Sequence, residues 1–424
     1  LGLEQTPRTV EPEQVWWRNY GSDELNGLYI ALHHNNLDLA IAQERIAKAK
    51  ALLQQQYSLG NPSLDFTANK RINNNLDTSQ TSRSDGLGFQ AAYEVDLWGS
   101  RQAGDVIAEA VLANEYYQFQ STQLQLQALL AQQYFNYLSL KNRLDIAVSN
   151  LASSERLLAL IQIRFEAGSA SGIERDQQRN VTFNTRAQLL TLRRQIKTTE
   201  HAIAVLLGRE TMAFNEGTIA FKDINMPAIQ LVQAAGLLQY RPDIQLAESI
   251  LKRDDAVLYQ QKQKRWPTLK LSADLALQDI LQLSTGWTNS LIGAVAMPLI
   301  DAGNIKHQID AAEHDVSIAQ LSYRNVVLQA IAETLETLDE LQFRQQLQTV
   351  RAEALTNNER LYDLAKIRYE AGDSDFLNLL DAQQNVFNAR DNLIQAKNDN
   401  FQATVNVYKA MGVGPEMRIA VVAP

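Results

Sequence analysis

The side chains of this chain that carry charge in a pattern worth reading gather in two places. One is the stretch holding Arg368, Tyr369, Asp373, Asp375, Leu377 and Asp381; the other is the pair Glu174 and Arg175. Leu377 and Asp381 are four residues apart and share one face of a helix. A carboxylate near a helix start is stabilised by the helix dipole, which is the simplest role for Asp381. The chemistry open to these groups is electrostatic, not catalytic. The histidines offer less: His33-His34 is an adjacent pair whose side chains diverge on a helix, and His307 and His314 lie seven apart. No catalytic residue, metal site or cofactor is expected, and the absence of cysteine excludes disulfides and thiolate ligands.

What positions those residues is set by proline and glycine. All nine prolines lie outside 99–208 and 303–412. Between Gly303 and Gly412 the only glycine is Gly372; between Gly99 and Gly208 there are Gly104, Gly168 and Gly172. Each window reads as one very long helix, a tight turn at Gly168 or Gly372, and a shorter returning helix. A helix over 304–371 would be on the order of 100 Å long, which belongs to a coiled-coil hairpin and not to an ordinary globular helix.

The two windows are copies. Ile163-Arg164-Phe165-Glu166-Ala167-Gly168 returns as Ile367-Arg368-Tyr369-Glu370-Ala371-Gly372, and Phe183-Asn184-Thr185-Arg186 as Phe387-Asn388-Ala389-Arg390. Gly99 and Gly208 return as Gly303 and Gly412, and Asp38 and Pro62 as Asp243 and Pro267, an offset of 204 to 205 residues. The chain is a duplicated unit.

Within the second long helix, Ile305, Ile309, Ala312, Val316, Ala319, Tyr323, Val326 and Ala330 follow alternating steps of four and three, a coiled-coil seam. Ile318, Leu321, Leu328, Ala332 and Leu335 keep a similar rhythm, offset by two residues, or about 200° around the helix. Seams on opposite sides imply a neighbour on each side, as in the wall of a cylinder. A solid spectrin-like rod is the alternative.

Ahead of each hairpin the period changes to two. Leu64, Phe66 and Ala68 alternate with polar residues in 63–71, and Leu87, Phe89, Ala91, Tyr93, Val95 and Leu97 do so in 87–97. Leu269, Leu271, Ala273, Leu275 and Leu277, then Leu291, Gly293, Val295, Met297 and Leu299, repeat the pattern. Strands of about ten residues with one apolar face suit a membrane β-barrel with a wet lumen. The polar or mixed connections 74–84 and 279–288 read as exposed loops. Trp98, Trp266 and Trp287 sit at strand ends, where an interfacial aromatic girdle belongs.

Composition agrees with this. The chain has 424 residues, 45% of them hydrophobic and 21% charged, enough for a large core. A net charge of −9 argues against a nucleic-acid partner. No run of 18 apolar residues offers a transmembrane helix, and with no basic and apolar leader pattern before Leu1 any export signal is expected to have been removed or never to have existed. Four strands cannot close a barrel, and open edges are not tolerated in lipid, so the chain must oligomerise if the strands are membrane-spanning. Two copies would give eight strands and a filled barrel; three would give twelve and a passage, which a hollow helical cylinder favours.

Arg241-Pro242-Asp243-Ile244-Gln245-Leu246-Ala247-Glu248, Tyr93-Glu94-Val95-Asp96-Leu97-Trp98-Gly99 and Leu380-Asp381-Ala382-Gln383 resemble the TolC-type outer membrane factors, within them the OprM and VceC-like drug-efflux branch. The resemblance runs from about Leu25 to Gly412. It implies an α+β membrane protein: a homotrimer with a 12-stranded transmembrane β-barrel, four strands per chain, continuing into a long α-helical coiled-coil barrel. The parts would be an N-terminal equatorial segment with the first short helices (1–60), outer-membrane hairpins (61–98 and 266–302), periplasmic helical hairpins (99–208 and 303–412), a central equatorial linker and helix (209–265) and a C-terminal tail (413–424). It implies a passive exit duct in the bacterial outer membrane, its helices in the periplasm, with a periplasmic adaptor protein, an inner-membrane drug transporter and outer-membrane lipid as partners. Many members of this branch carry an acylated N-terminal cysteine, and this chain has none.

By the same resemblance Leu377 and Asp381 match the apolar and acidic residues that ring a closed periplasmic aperture, opened by an iris-like shift of the inner helices. Three copies of Asp381 would repel one another there and attract cations. Asn378 replaces an aspartate of some relatives, for which Asp373 and Asp375 would compensate. Glu174 and Tyr369 match a lock between hairpins; its usual basic position holds Ser374, leaving Arg368 or Arg175 to serve. A duct for type I protein secretion is the neighbouring reading, and a soluble coiled-coil scaffold the reading from another class.

Overall fold

The computed structural model describes residues 16–75, 80–211, 220–227, 241–278 and 286–412. The expected equatorial linker over about 209–235 and the tail 413–424 fall largely or wholly outside these residues. The described chain is mostly helical, with a four-stranded antiparallel sheet. Its described residues form two compact units: one draws on those within 1–41, 120–242 and 328–424, the other on those within 42–119 and 243–327. No helix among the described residues is long and apolar enough to cross a membrane.

The second unit holds the sheet. Its strands are β1 (Ser63–Asn75), β2 (Gln80–Val95), β3 (Thr268–Gln278) and β4 (Gly286–Ala296), paired in the order β1-β2-β3-β4. The register aligns Phe66 with Phe89 and Phe89 with Leu275, then Leu271 with Gly293 and Leu269 with Val295. Because side chains alternate between faces, this register gathers the apolar residues on one face and Asp65, Gln90, Glu94, Lys270 and Asp274 on the other.

The strand ends differ from the expectation in both hairpins. Residues 74–84 are not all loop: β1 runs to Asn75, which pairs with Gln80 at the start of β2. Backbone pairing does not depend on side-chain polarity, so polarity alone sets no strand end. In the other hairpin the expected connection 279–288 is outside the described residues as far as 285, and β4 already begins at Gly286. Leu97 lies past β2, and Met297 and Leu299 lie past β4.

The first unit is built on helices. Helix α1 (Asp23–Asn35) is capped by Ser22, whose side chain accepts from the Leu25 amide. Helix α2 (Leu37–Ser58) comes next in the chain and runs into the second unit. Two long helices, α3 (Ser100–Glu166) and α6 (Asn304–Glu370), have 67 residues each. They return as α4 (Gly172–Leu206) and α7 (Phe376–Met411), and α5 (Pro242–Gln263) stands in the chain between the halves. The core of this unit near the chain start is aromatic. Trp16 stacks on Tyr408 at 5.0 Å, and Phe135 on Phe401 at 4.8 Å. Arg241, buried, donates to the Ala410 carbonyl at 2.6 Å and to Glu333 at 2.7 Å, closing the C-terminal end of α7 with a positive charge.

The two apolar seams of α6 are treated differently. Ile309, Ala312, Val316, Ala319 and Ala330 are buried, whereas Ile318, Leu321, Leu328 and Leu335 are all exposed. One seam faces the chain's own neighbours; the other is left open.

Candidate functional site

Both helical hairpins end in the same backbone device. After α3, Gly168 adopts φ 72°, its N–H bonds to the Phe165 carbonyl at 3.0 Å, and the Ser169 N–H reaches back to Arg164 at 2.8 Å. After α6, Gly372 adopts φ 77°, with bonds from Gly372 to Tyr369 at 3.1 Å and from Asp373 to Arg368 at 2.8 Å. This pair of bonds is the Schellman stop, and it needs a left-handed residue at the glycine. Helix α4 then starts at a side-chain N-cap, Ser171. Ser171 Oγ accepts from the Glu174 N–H at 3.2 Å, and its hydroxyl meets Glu174 Oε1 at 3.3 Å. At the start of α7, Asp375 is the N-cap residue but makes no side-chain cap bond.

The tips are packed by Leu157, Ile161, Val181, Tyr369, Phe376, Leu379 and Leu380. Leu377 and Asp381 lie off this core: Leu377 is 55% exposed and Asp381 is exposed, on one outward helix face. Glu174 and Tyr369 are brought together across the hairpins, the tyrosine hydroxyl donating to Glu174 Oε2 at 3.3 Å. Arg368 and Arg175 are not drawn into that contact. Arg368 pairs with Asp373 at 3.0 Å, and Arg175 with Asp176 at 2.8 Å while lying over the Phe165 ring, so each stays in its own hairpin.

The cation beside the Glu174–Tyr369 contact is Arg164, which lies 4.9 Å from the centre of the Tyr369 ring. Burial pushes the Tyr369 phenol up, with Glu174 adding to that and Arg164 opposing it. Sequence reading passes over Arg164, although it is the copy of Arg368 in the repeated motif. It also passes over a buried polar cluster behind the tip. There Gln178 Nε2 donates to Ser154 Oγ at 3.1 Å and to Gln383 Oε1 at 3.2 Å, and Ser154 Oγ is 2.8 Å from Thr182 Oγ1.

The sheet is the second candidate site. Leu64, Phe66, Phe89, Leu275, Leu291 and Val295 are all exposed on its apolar face. On the other face Lys270 pairs with Glu94 at 3.4 Å, and Ser290 donates to Asp274 at 3.2 Å. Trp98 stacks on Trp266 at 5.2 Å, and its N–H donates to the Pro267 carbonyl at 2.7 Å, beside the end of β2 and the start of β3. Trp287, the second residue of β4, pairs in register with Leu277 at the opposite end of the sheet. An apolar sheet face that no other part of the described chain covers is unusual for a protein in water.

A model of the outer membrane efflux protein family matches residues 28–209 and 234–413. The chain belongs to that family. This efflux protein is 28% identical to the pyoverdine export outer membrane protein OpmQ of Pseudomonas putida, over 95% of this chain and 88% of that protein. It is also 28% identical to the solvent efflux pump outer membrane protein SrpC of Pseudomonas putida, over 90% and 83%. Among solved structures, the outer-membrane channel OprN superposes with a TM-score of 0.86 at 25% identity, covering 95% of this chain and 92% of that one. VceC of Vibrio cholerae, at 20% identity and a TM-score of 0.84 over 95% and 99%, shares the fold. This efflux protein is an outer-membrane channel component, its helical part on the periplasmic side. Members of the family are transport proteins and not enzymes, and a free coiled-coil scaffold is set aside.

Proposed function

We propose that three copies of this chain form the exit duct of a tripartite efflux pump, each giving four strands to a 12-stranded outer-membrane barrel. The observation that carries the reading is the sheet itself. Its apolar face is exposed, and β1 and β4 are edges in the order β1-β2-β3-β4. In lipid such edges must be paired, and twelve strands leave a passage where eight are filled by side chains. The strands, of 11 to 16 residues, are long enough to span the hydrocarbon layer. Trp98 and Trp266 at one end and Trp287 at the other fit the two interfaces. The open seam of Ile318, Leu321, Leu328 and Leu335 offers apolar surface to a second copy.

In this reading hairpins 99–208 and 303–412 line the periplasmic duct, and the second closes it. Exposed Leu377 and Asp381, with Asp373 and Asp375 beside them, ring the aperture. Charge repulsion among three Asp381 carboxylates and their pull on cations set its selectivity. The tips also dock a periplasmic adaptor, through which an inner-membrane transporter delivers small organic substrates; choice of substrate rests with that transporter. Gel filtration with light scattering on detergent-extracted outer membranes tests the assembly, and a monomer or dimer overturns it. In planar bilayers Asp381→Ala raises conductance and weakens cation preference; an unchanged pore removes Asp381 from the gate.

A further inference from the structure

The contacts between the two hairpins are graded along their length. At the tip, Tyr369 meets Glu174 through one bond of 3.3 Å. Behind it Gln178 meets Gln383 through one neutral bond of 3.2 Å. This joint is fully buried, yet Gln178 Oε1 has no protein hydrogen-bond partner. Buried amide groups left unmatched are costly, so the joint gains when it parts and hydrates. Further up, Arg390 reaches Asn150 at 3.5 Å. Then the character of the seam changes. Arg143 on α3 grips Asp391 on α7 with two bonds, Nε to Oδ1 at 2.6 Å and Nη2 to Oδ2 at 3.0 Å. Both side chains are mostly shielded, at 20% and 18% exposure, and Gln395 also donates to Asp391 Oδ2. Above this pair Gln132 joins Asn406 at 2.8 Å, and Gln402 donates to the Gln132 carbonyl at 2.9 Å.

We infer that Arg143 and Asp391 are positioning residues of the gate: a fulcrum above which the hairpins stay joined and below which they part. The inference rests on the tip-gate reading proposed above. A fork-to-carboxylate pair is directional and joins two ions, whereas each joint below it is a single bond in which no cation meets an anion, and the apolar tip cluster tolerates sliding. Arg143 lies 23 residues before the end of α3 and Asp391 15 residues after the start of α7, so about 22–35 Å of helix lies below the fulcrum. The pair also has no copy. The repeat places Leu347 and Ala187 at the equivalent positions, so the other hairpin face lacks this grip. Within each hairpin, by contrast, an ion pair is copied: Glu155–Arg186 at 3.0 Å and Glu359–Arg390 at 2.9 Å. Each hairpin is braced to move as a body, and among the described residues only one bidentate clamp joins the two.

The chain has no cysteine, so introduced cysteine pairs report cleanly. One pair is placed at Gln178 and Gln383, below the clamp, and another at Gln132 and Asn406, above it. In the assembled channel both pairs cross-link. Adding Tyr369→Ala, which removes the bond to Glu174 and the ring beside Arg164, is expected to abolish most of the lower cross-link and leave the upper one. Adding Arg143→Ala as well is expected to lose the upper one and to raise the open population about tenfold in bilayers. Arg143→Asp combined with Asp391→Arg restores the upper cross-link and the conductance, which separates a lost clamp from a misfolded helix. Loss of the upper cross-link with Arg143 intact, or its survival in Arg143→Ala, overturns the fulcrum. If Tyr369→Ala leaves the lower cross-link intact and Asp381→Ala leaves the conductance unchanged, the gate reading fails first, and the fulcrum falls with it.

Discussion

At residues 168 and 372 a glycine in the left-handed region ends a 67-residue helix with the same two backbone bonds, and the chain turns back. Beyond the two glycines the hairpins diverge. The first turn enters a helix whose N-cap Ser171 bonds the Glu174 amide, and the acid Glu174 is committed to Ser171 and Tyr369. The second enters α7 with Asp375 making no side-chain cap bond, with Leu377 and Asp381 pointing out. The backbone of the turn is a geometric requirement, and duplication preserves it. The charge on the turn is free to diverge, and there the second hairpin has become different from the first. The roots differ too: Asn36 donates to the last carbonyls of α4 at Leu206, whereas buried Arg241 closes α7 at Ala410.

The sharpest way to break the likeness is to compare glycines at tip and root. Both Gly168 and Gly208 have positive φ, 72° and 64°. A Cβ on Gly168 meets nothing within 4 Å, but one on Gly208 would overlap the Asn35 carbonyl oxygen. Gly168→Ala therefore costs the left-handed penalty alone, about 1–2 kcal/mol. Gly208→Ala adds a backbone clash, for a total of about 2–5 kcal/mol. Thermal melts followed by circular dichroism in detergent check this, and equal shifts for the two variants would show that the root relaxes freely.

Much of this asymmetry is invisible in the sequence, for physical reasons. The turns are legible because only glycine takes positive φ at low cost, so Gly168 and Gly372 stand out in proline-free windows. The period of the α6 seams is legible as well. That Ile309 and Val316 are covered while Ile318 and Leu321 are not is a matter of tertiary packing that periodicity does not carry. The repeated Phe-Asn-x-Arg motif is visible twice, but its partner lies 31 residues away across the turn, so the brace to Glu155 or Glu359 gives no local signal. The Gln178–Gln383 joint gives none either, since glutamines are common along these helices and only burial singles out the pair. The strand ends depart from the sequence expectation because Asn74 and Asn75 read as loop while their backbone continues the ladder.

The roots provide the next test. Arg241→Ala removes a buried charged donor to Ala410 and the pair with Glu333, a loss of about 1.5–3 kcal/mol. Asn36→Ala removes a neutral bond to Leu206, a loss of about 1 kcal/mol, together with the cap it gives the Leu39 amide at 3.0 Å. Urea midpoints in detergent should rank the two in that order. Arg241→Lys keeps the charge but not the fork, and should recover only part of the difference.

The smallest expected effect concerns the braces, where the copies are nearest to equal. Arg186 and Glu155 are 57% and 48% exposed, and Arg390 and Glu359 34% and 44%. Exposed pairs of this kind contribute about 0.2–1 kcal/mol, and salt weakens them. Arg390 is the less exposed of the two arginines and also reaches Asn150 on the other hairpin, so Arg390→Ala should cost more than Arg186→Ala. Raising the salt concentration should erase most of the Arg186→Ala effect and leave part of the Arg390→Ala effect, because the bond to a neutral amide is not screened. Melting curves at low and high salt separate the two. If both effects vanish together, the link from Arg390 to the first hairpin contributes nothing, and the hairpins are joined there by Arg143 and Asp391 alone.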